Sequence, residues 1–255
     1  MKEQNYSYEW PKGVMDGYVP ILLDNFCSWR KCFLGYGGCG SNRPVFGKCE
    51  IWKISKILKE IKKVLMENSE TRFFLETPNF FDRHKRLTED AFQFQKFLTV
   101  VGRQKFQPYF SVQTTPRDLI YFVNQEEKNC SLIRRAGIQE IWLGVESANR
   151  ELRDKYFKPA FDNADLEKAM LKLQVAGIAG CYYLIASTDD THETILETVD
   201  FVRKTKPAKI CPFDAFHYLG GEHYVDWKNM QTNLAKVANY QAILKSLAEE
   251  VNGKV

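Results

Sequence analysis

Four of the chain's seven cysteines, Cys27, Cys32, Cys39 and Cys49, fall in one short stretch. The first three are spaced C-x4-C-x6-C in CSWRKCFLGYGGC, and Cys49 follows ten residues after Cys39. Thiolates grouped so closely read as metal ligands before disulfides wherever thiols are kept reduced. A structural zinc site held by four thiolates is one such use. Zinc knuckles favour C-x2-C to C-x4-C pairs, and only Cys27/Cys32 has that spacing. Gly35, Gly37 and Gly38 let the longer second gap fold back, because glycine accepts left-handed backbone and close approach. Elsewhere no nucleophile–base pair or carboxylate pair stands out, which disfavours a conventional hydrolase. His217 and His223 lack a third ligand at suitable spacing.

The elements that position these residues alternate. Strands are expected at Tyr18 to Leu23, Arg72 to Glu76, Pro108 to Thr115, Ile138 to Ser147, Cys181 to Ser187 and Lys209 to Leu219. Between them, helical spacing of apolar residues predicts helices over Ile51 to Leu65, Ala91 to Val101, Leu119 to Ala136, Ala164 to Ala176 and Glu193 to Lys204. A last helix covers Asn229 to Val251, and Gly137 and Gly177 stand at helix stops. Strand–helix alternation implies a parallel sheet with helices outside. About six repeats are too few for a closed eightfold barrel and fit an open partial one. Function is then expected at the carboxyl ends of the strands: Cys27 to Cys39, Glu76 to Asn79, Gln113 to Thr115, Glu146 to Ser147, Ser187 to Asp190 and Asp214 to His217.

Composition narrows the class. A 255-residue chain with 44% hydrophobic residues buries a substantial core, and the absence of a linker or low-complexity tract favours one domain. The net charge is +4, with Lys and Arg interleaved among Asp and Glu. That pattern reads as solvated helix faces rather than a nucleic-acid stripe, although contact with RNA stays open. High aromatic content reads as core. No apolar run is long enough for a transmembrane helix, and MKEQNYSYEWPKG has no signal-peptide core. The expected location is the cytoplasm, with no membrane partner.

One long segment carries a resemblance. Ile138 to Phe201 contains Gly144-Val145-Glu146-Ser147, then Lys158 a dozen residues after Glu146, Ala176-Gly177-Ile178, Leu184-Ile185-Ala186 and His192-Glu193-Thr194. In order and spacing this is similar to the second half of a radical SAM barrel, in the cobalamin-associated, methylthiotransferase-like branch. There the pattern runs "iGvES", Lys, "lkkaGI" and "fi-G-PgET", the last eroded here. The cysteine loop follows the first strand, as in the family, with C-x4-C-x6-C replacing the usual C-x3-C-x2-C. The resemblance covers most of Tyr18 to Tyr218.

The resemblance implies a partial (β/α)6 TIM-like barrel over residues 18–225, an N-terminal extension over 1–17 and a C-terminal helical segment over 226–255 packed on the barrel. It implies a [4Fe–4S] cluster held by Cys27, Cys32 and Cys39, with Cys49 in reserve, and S-adenosylmethionine (SAM) on the open iron. Glu146, with Ser147 beside it, would take the SAM ribose hydroxyls. Glu76, Thr77 and Asn79 would face the SAM amino group, and Lys158 its carboxylate. The expected activity is reductive cleavage of SAM to a 5′-deoxyadenosyl radical that abstracts hydrogen from a small-molecule, peptide or RNA substrate. The electron would come from a reductant such as ferredoxin or flavodoxin. With no cysteine after Cys211, a second cluster is not expected, nor is a cobalamin-binding domain in the same chain. A degenerate radical SAM barrel, or a zinc-stabilised α/β module, with a binding role is the alternative.

Overall fold

Six short apolar runs become the six strands of one sheet: β1 (Tyr18–Leu22), β2 (Arg72–Glu76), β3 (Tyr109–Thr114), β4 (Ile138–Glu146), β5 (Ala179–Ala186) and β6 (Lys209–Asp214). The computed structural model describes residues 17–23, 54–83, 93–155, 158–187, 189–214 and 234–253, without the side chains of Leu22, Phe213, Asp214, Leu234 and Ala235. All five strand pairings are parallel and follow chain order. Among the described residues the sheet ends at β1 on one side and β6 on the other, so the barrel they form is open. Helices α1 (Ile54–Glu67), α2 (Phe94–Val101), α3 (Pro116–Gln125), α4 (Lys128–Arg135), α5 (Arg150–Lys155), α6 (Asn163–Val175) and α7 (His192–Thr205) make the crossovers, and α8 (Leu234–Asn252) follows β6. The partial six-strand barrel expected from the alternation is what forms.

Strand period two sorts the side chains onto two faces. Phe73, Leu75, Val112, Leu143, Tyr182 and Leu184 lie in the main core with the helices. Their alternates Phe74, Trp142, Cys181, Tyr183 and Cys211 form a second cluster on the opposite, concave face. There Trp142 and Tyr183 stack with ring centroids 5.0 Å apart. Turn chemistry fixes the crossovers. Gly137, at φ +82°, follows α4, and a Cβ there would lie 2.1 Å from the Pro108 carbonyl oxygen, so no other residue fits.

The helix expected over Leu119 to Ala136 is two helices. The first begins earlier, at Pro116, because Thr115 caps it, accepting the Asp118 N–H at 3.2 Å, with proline at the first helical position. It ends at Gln125, where Glu126 is extended (φ −148°, ψ 137°). The run Asn124 to Asn129 is wholly polar and offers no apolar anchor. Asn129 Nδ2 instead donates to the Phe122 carbonyl at 2.7 Å, satisfying an acceptor at the helix end.

Both sheet edges are blunted. Asn252 on α8 accepts the Ile210 N–H at 2.9 Å and donates to the Ile210 carbonyl at 3.0 Å, as a neighbouring strand would. Pro212, two residues on and facing the same way, has no N–H to offer. On β1, Leu23 N–H donates to the Glu76 carbonyl, so the alternating Pro20 faces the open edge, again without a donor. Among the described residues no helix is long and apolar enough to cross a membrane.

Candidate functional site

The carboxyl end of β4 carries a strained turn. The pairing with β5 slips between Gly144 and Glu146, leaving Val145 as a bulge. Glu146 sits at φ +65°, and Ser147 N–H closes back onto the Val145 carbonyl at 2.8 Å. A three-residue turn with positive φ is rare and strained, and the left-handed region costs a non-glycine residue about 1–2 kcal/mol. The turn sends the Glu146 side chain back over Gly144, where a Cβ would lie 3.0 Å from Glu146 Oε1.

Lys158 meets that carboxylate. Its Nζ donates to Glu146 Oε1 at 2.7 Å, with 13% of the lysine and 7% of the glutamate side chain exposed. Glu146 Oε2 is buried and has no hydrogen-bond partner among the described residues. An unsatisfied buried acceptor costs roughly 1–3 kcal/mol, more when charged.

The loop after β4 is tied down by groups that the sequence pattern does not single out. Arg153 is 2% exposed. Its Nη1 donates to the Ser147 carbonyl (2.9 Å), the Ala148 carbonyl (2.7 Å) and Asn163 Oδ1 (3.1 Å), and its Nη2 to the Phe161 carbonyl (3.1 Å). Burial pulls the Arg153 pKa down to about 10, against the opposing charges of Asp154, Glu197 and Asp162, so it stays cationic near neutrality. Ser147 is buried, and its hydroxyl accepts from Asn149 N–H at 3.1 Å and contacts Thr198 Oγ1 at 3.3 Å.

At the end of β2, Thr77 and Asn79 are buried. Asn79 Nδ2 donates to Asp118 Oδ2 at 2.8 Å, and its Oδ1 accepts from Thr114 Oγ1 at 2.6 Å. The Thr77 carbonyl accepts from Gln113 Nε2, and the Glu76 carbonyl from Leu23 N–H. This network fixes the β2 loop against the end of β3. The Thr115-Pro116-Arg117-Asp118 start of α3, a Thr-x-x-acid capping signature, is the signal that would reveal Asp118. At the end of β5, Asp190 accepts from Ser187 N–H and Oγ and from Thr194 Oγ1, while burial pushes its carboxyl pKa up. Thr191 and Thr194 close a capping box on α7, so the eroded loop is folded by its own side chains.

The structure thus brings Glu146 and Lys158 together, and commits Ser147 and Asn79 to neighbouring protein groups. Cys27, Cys32, Cys39 and Cys49 lie outside the described residues, as do His217, Tyr218 and His223. Cys130, Cys181 and Cys211 are buried and free. Among the described residues no group of three or more His, Cys, Asp or Glu side chains is placed to hold a metal ion.

The sequence matches no protein-family model and no curated protein. Solved structures do match. The radical S-adenosylmethionine methyltransferase TsrM from Kitasatospora setae, with cobalamin and a [4Fe–4S] cluster bound, superposes at a TM-score of 0.60 and 13% identity, over 78% of this chain and 36% of that one. The cobalamin-dependent S-adenosylmethionine radical enzyme OxsB gives 0.54 and 16%, over 85% and 30%. Methylornithine synthase PylB gives 0.54 and 12%, over 80% and 55%. The fold is the radical SAM fold. The chain spans only about a third of the length of TsrM and of OxsB and about half that of PylB. In the open barrel of this chain the Glu146–Lys158 pair stands at the carboxyl end of the fourth of six strands.

Proposed function

We propose that the chain is a radical SAM enzyme, with Cys27, Cys32 and Cys39 holding a [4Fe–4S] cluster and SAM seated across the strand ends. The observation that carries this reading is Glu146: a buried carboxylate on a strained turn, with one oxygen lacking a partner among the described residues. An acceptor-only group with one oxygen committed and one waiting suits a pair of ribose hydroxyls. Held by Cys27, Cys32 and Cys39, such a cluster would supply the electron for reductive cleavage of SAM to a 5′-deoxyadenosyl radical. Glu146 Oε2 accepts the ribose hydroxyls while Oε1 stays on Lys158, which keeps the carboxylate aimed and, by the family pattern, faces the SAM carboxylate. Glu76 and Thr77 offer the SAM amino group the loop after β2. Asn79 and Ser147 act by holding the two loops in shape, since their polar atoms are spent on protein partners. The chain is read as cytoplasmic, reduced by a ferredoxin or flavodoxin, and acting on a small-molecule, peptide or RNA substrate.

The test is the iron, sulfide and zinc content of anaerobically reconstituted protein, followed by dithionite, SAM and an assay for 5′-deoxyadenosine. The expected result is about four irons per chain with 5′-deoxyadenosine released. Cys27→Ala, Cys32→Ala and Cys39→Ala should each lose the cluster, and Cys49→Ala should keep it. Zinc, or no metal at all, would move the chain to a binding role.

A further inference from the structure

We propose that Arg153 is the positioning residue of the Glu146–Lys158 pair, a clasp that holds both ends of the loop between them. The inference rests on the reading of that pair as the SAM site, but its first test does not require SAM.

The pair is separated by a loop that must return to its own start. On the Glu146 side, Arg153 Nη1 holds the carbonyls of Ser147 and Ala148, the two residues that follow the strained turn. On the Lys158 side, Nη2 holds the Phe161 carbonyl, Nη1 holds Asn163 Oδ1, and the Arg153 carbonyl accepts the Lys158 N–H at 3.0 Å. Asn163 closes the ring by donating from Nδ2 to the same Ala148 carbonyl at 3.0 Å. The guanidinium also lies over the Phe161 ring, 4.0 Å from its centroid. Each of these hydrogen-bond partners of the buried cation is neutral. A planar fork with several fixed donors can hold carbonyls on two segments at once, which a lysine ammonium on a flexible stem cannot reproduce. The desolvation that pulls its pKa down is accepted where an apolar side chain would leave these carbonyls unpaired. What the clasp secures is the return of Lys158 to Glu146 Oε1, and with it the direction of the unpartnered Oε2.

The test labels the apo protein with an acetylating N-hydroxysuccinimide ester and follows each lysine by peptide mass spectrometry. Lys158 is ion-paired and largely buried, so it should react slowly beside the exposed Lys168. Arg153→Lys should raise Lys158 acetylation relative to Lys168 by about tenfold. Asn163→Ala, a milder lesion of the same ring, should raise it by about threefold. Lys209, paired with Glu140 at the other end of β4, should stay at its wild-type rate and so reports that the barrel remains folded. In a Glu146→Gln background the Arg153 substitution should add less than about twofold, because the negative charge that holds Lys158 in place is already gone. Wild-type Lys158 rates in both variants, with Lys209 still protected, would overturn the clasp, as would full additivity with Glu146→Gln. SAM titration of the reconstituted protein is read separately. A tenfold weaker affinity in Arg153→Lys would tie the clasp to the site. Failure of the wild-type protein to bind SAM would remove the SAM reading and leave the labelling result for Arg153 standing.

Discussion

Strand β4 carries two buried glutamates, each paired with a lysine, and they are built in opposite ways. Glu140, near the amino end, has both oxygens occupied. Oε1 accepts from Trp142 Nε1 at 2.6 Å and Ser111 Oγ at 3.1 Å; Oε2 accepts from Lys209 Nζ at 3.0 Å and Tyr18 OH at 3.3 Å. Glu146, at the carboxyl end, has a left-handed backbone, one lysine and an oxygen unpaired among the described residues. Both are 5% exposed or less, so burial does not distinguish them. Saturation does. Glu140 cross-links four strands through β1, β3 and β6 and has nothing left to offer a ligand, whereas Glu146 stores strain and an unmet bond where the fold places function.

The largest expected effect breaks the saturated end. Glu140→Ala leaves Lys209 and several donors unpaired beneath the sheet and should cost about 3–5 kcal/mol of stability, measured by chemical denaturation. SAM affinity should change only through loss of folded protein. Next comes Glu146→Gln, which should lower SAM affinity about a hundredfold, read by titration of the reconstituted protein. Its stability should stay within about 1 kcal/mol of wild type, since the amide oxygen can still accept from Lys158.

A smaller effect is seen in alkali. Burial pulls the Lys209 pKa down, but the hydrogen bond and charge of Glu140 more than reverse it, so the folded pKa lies above the ordinary lysine value of 10.5. The stabilisation is therefore complete below that value and is lost as pH rises through the raised folded pKa. Lys209→Met should lack that alkaline loss in a pH series of denaturation midpoints. The smallest effect lies away from both glutamates. Asn252→Ala should cost about 1 kcal/mol and expose the Ile210 edge, with self-association in light scattering as its sign.

What is legible in the sequence follows from range. The six strands, the glycine-stopped helices and the open barrel are written in local periodicity and punctuation, and within the described residues these carry over to within a few residues; residues 215–219 of the sixth expected strand and 229–233 of the last expected helix lie outside them. The break at Glu126 is hidden because a polar run continues the helical pattern of charges while removing its anchors. Glu146 is legible as the end of a strand and Lys158 only as an element of a family pattern; nothing local announces the positive φ or the orphaned oxygen. Arg153 reads as one more charge on a short helix, since its partners are backbone carbonyls with no residue signature. Glu140 escapes the sequence altogether, because its partners Tyr18, Ser111, Trp142 and Lys209 are scattered between residues 18 and 209 and meet only through strand register.

The contrast between the two glutamates is decided by SAM binding to the reconstituted wild-type protein beside Glu146→Gln and Lys209→Met. Saturable binding is expected in wild type, with a loss of about two orders of magnitude in Glu146→Gln and near wild-type affinity in folded Lys209→Met. Equal SAM affinity in wild type and Glu146→Gln would contradict it, because the unpaired oxygen at the end of β4 would then not be where SAM is held.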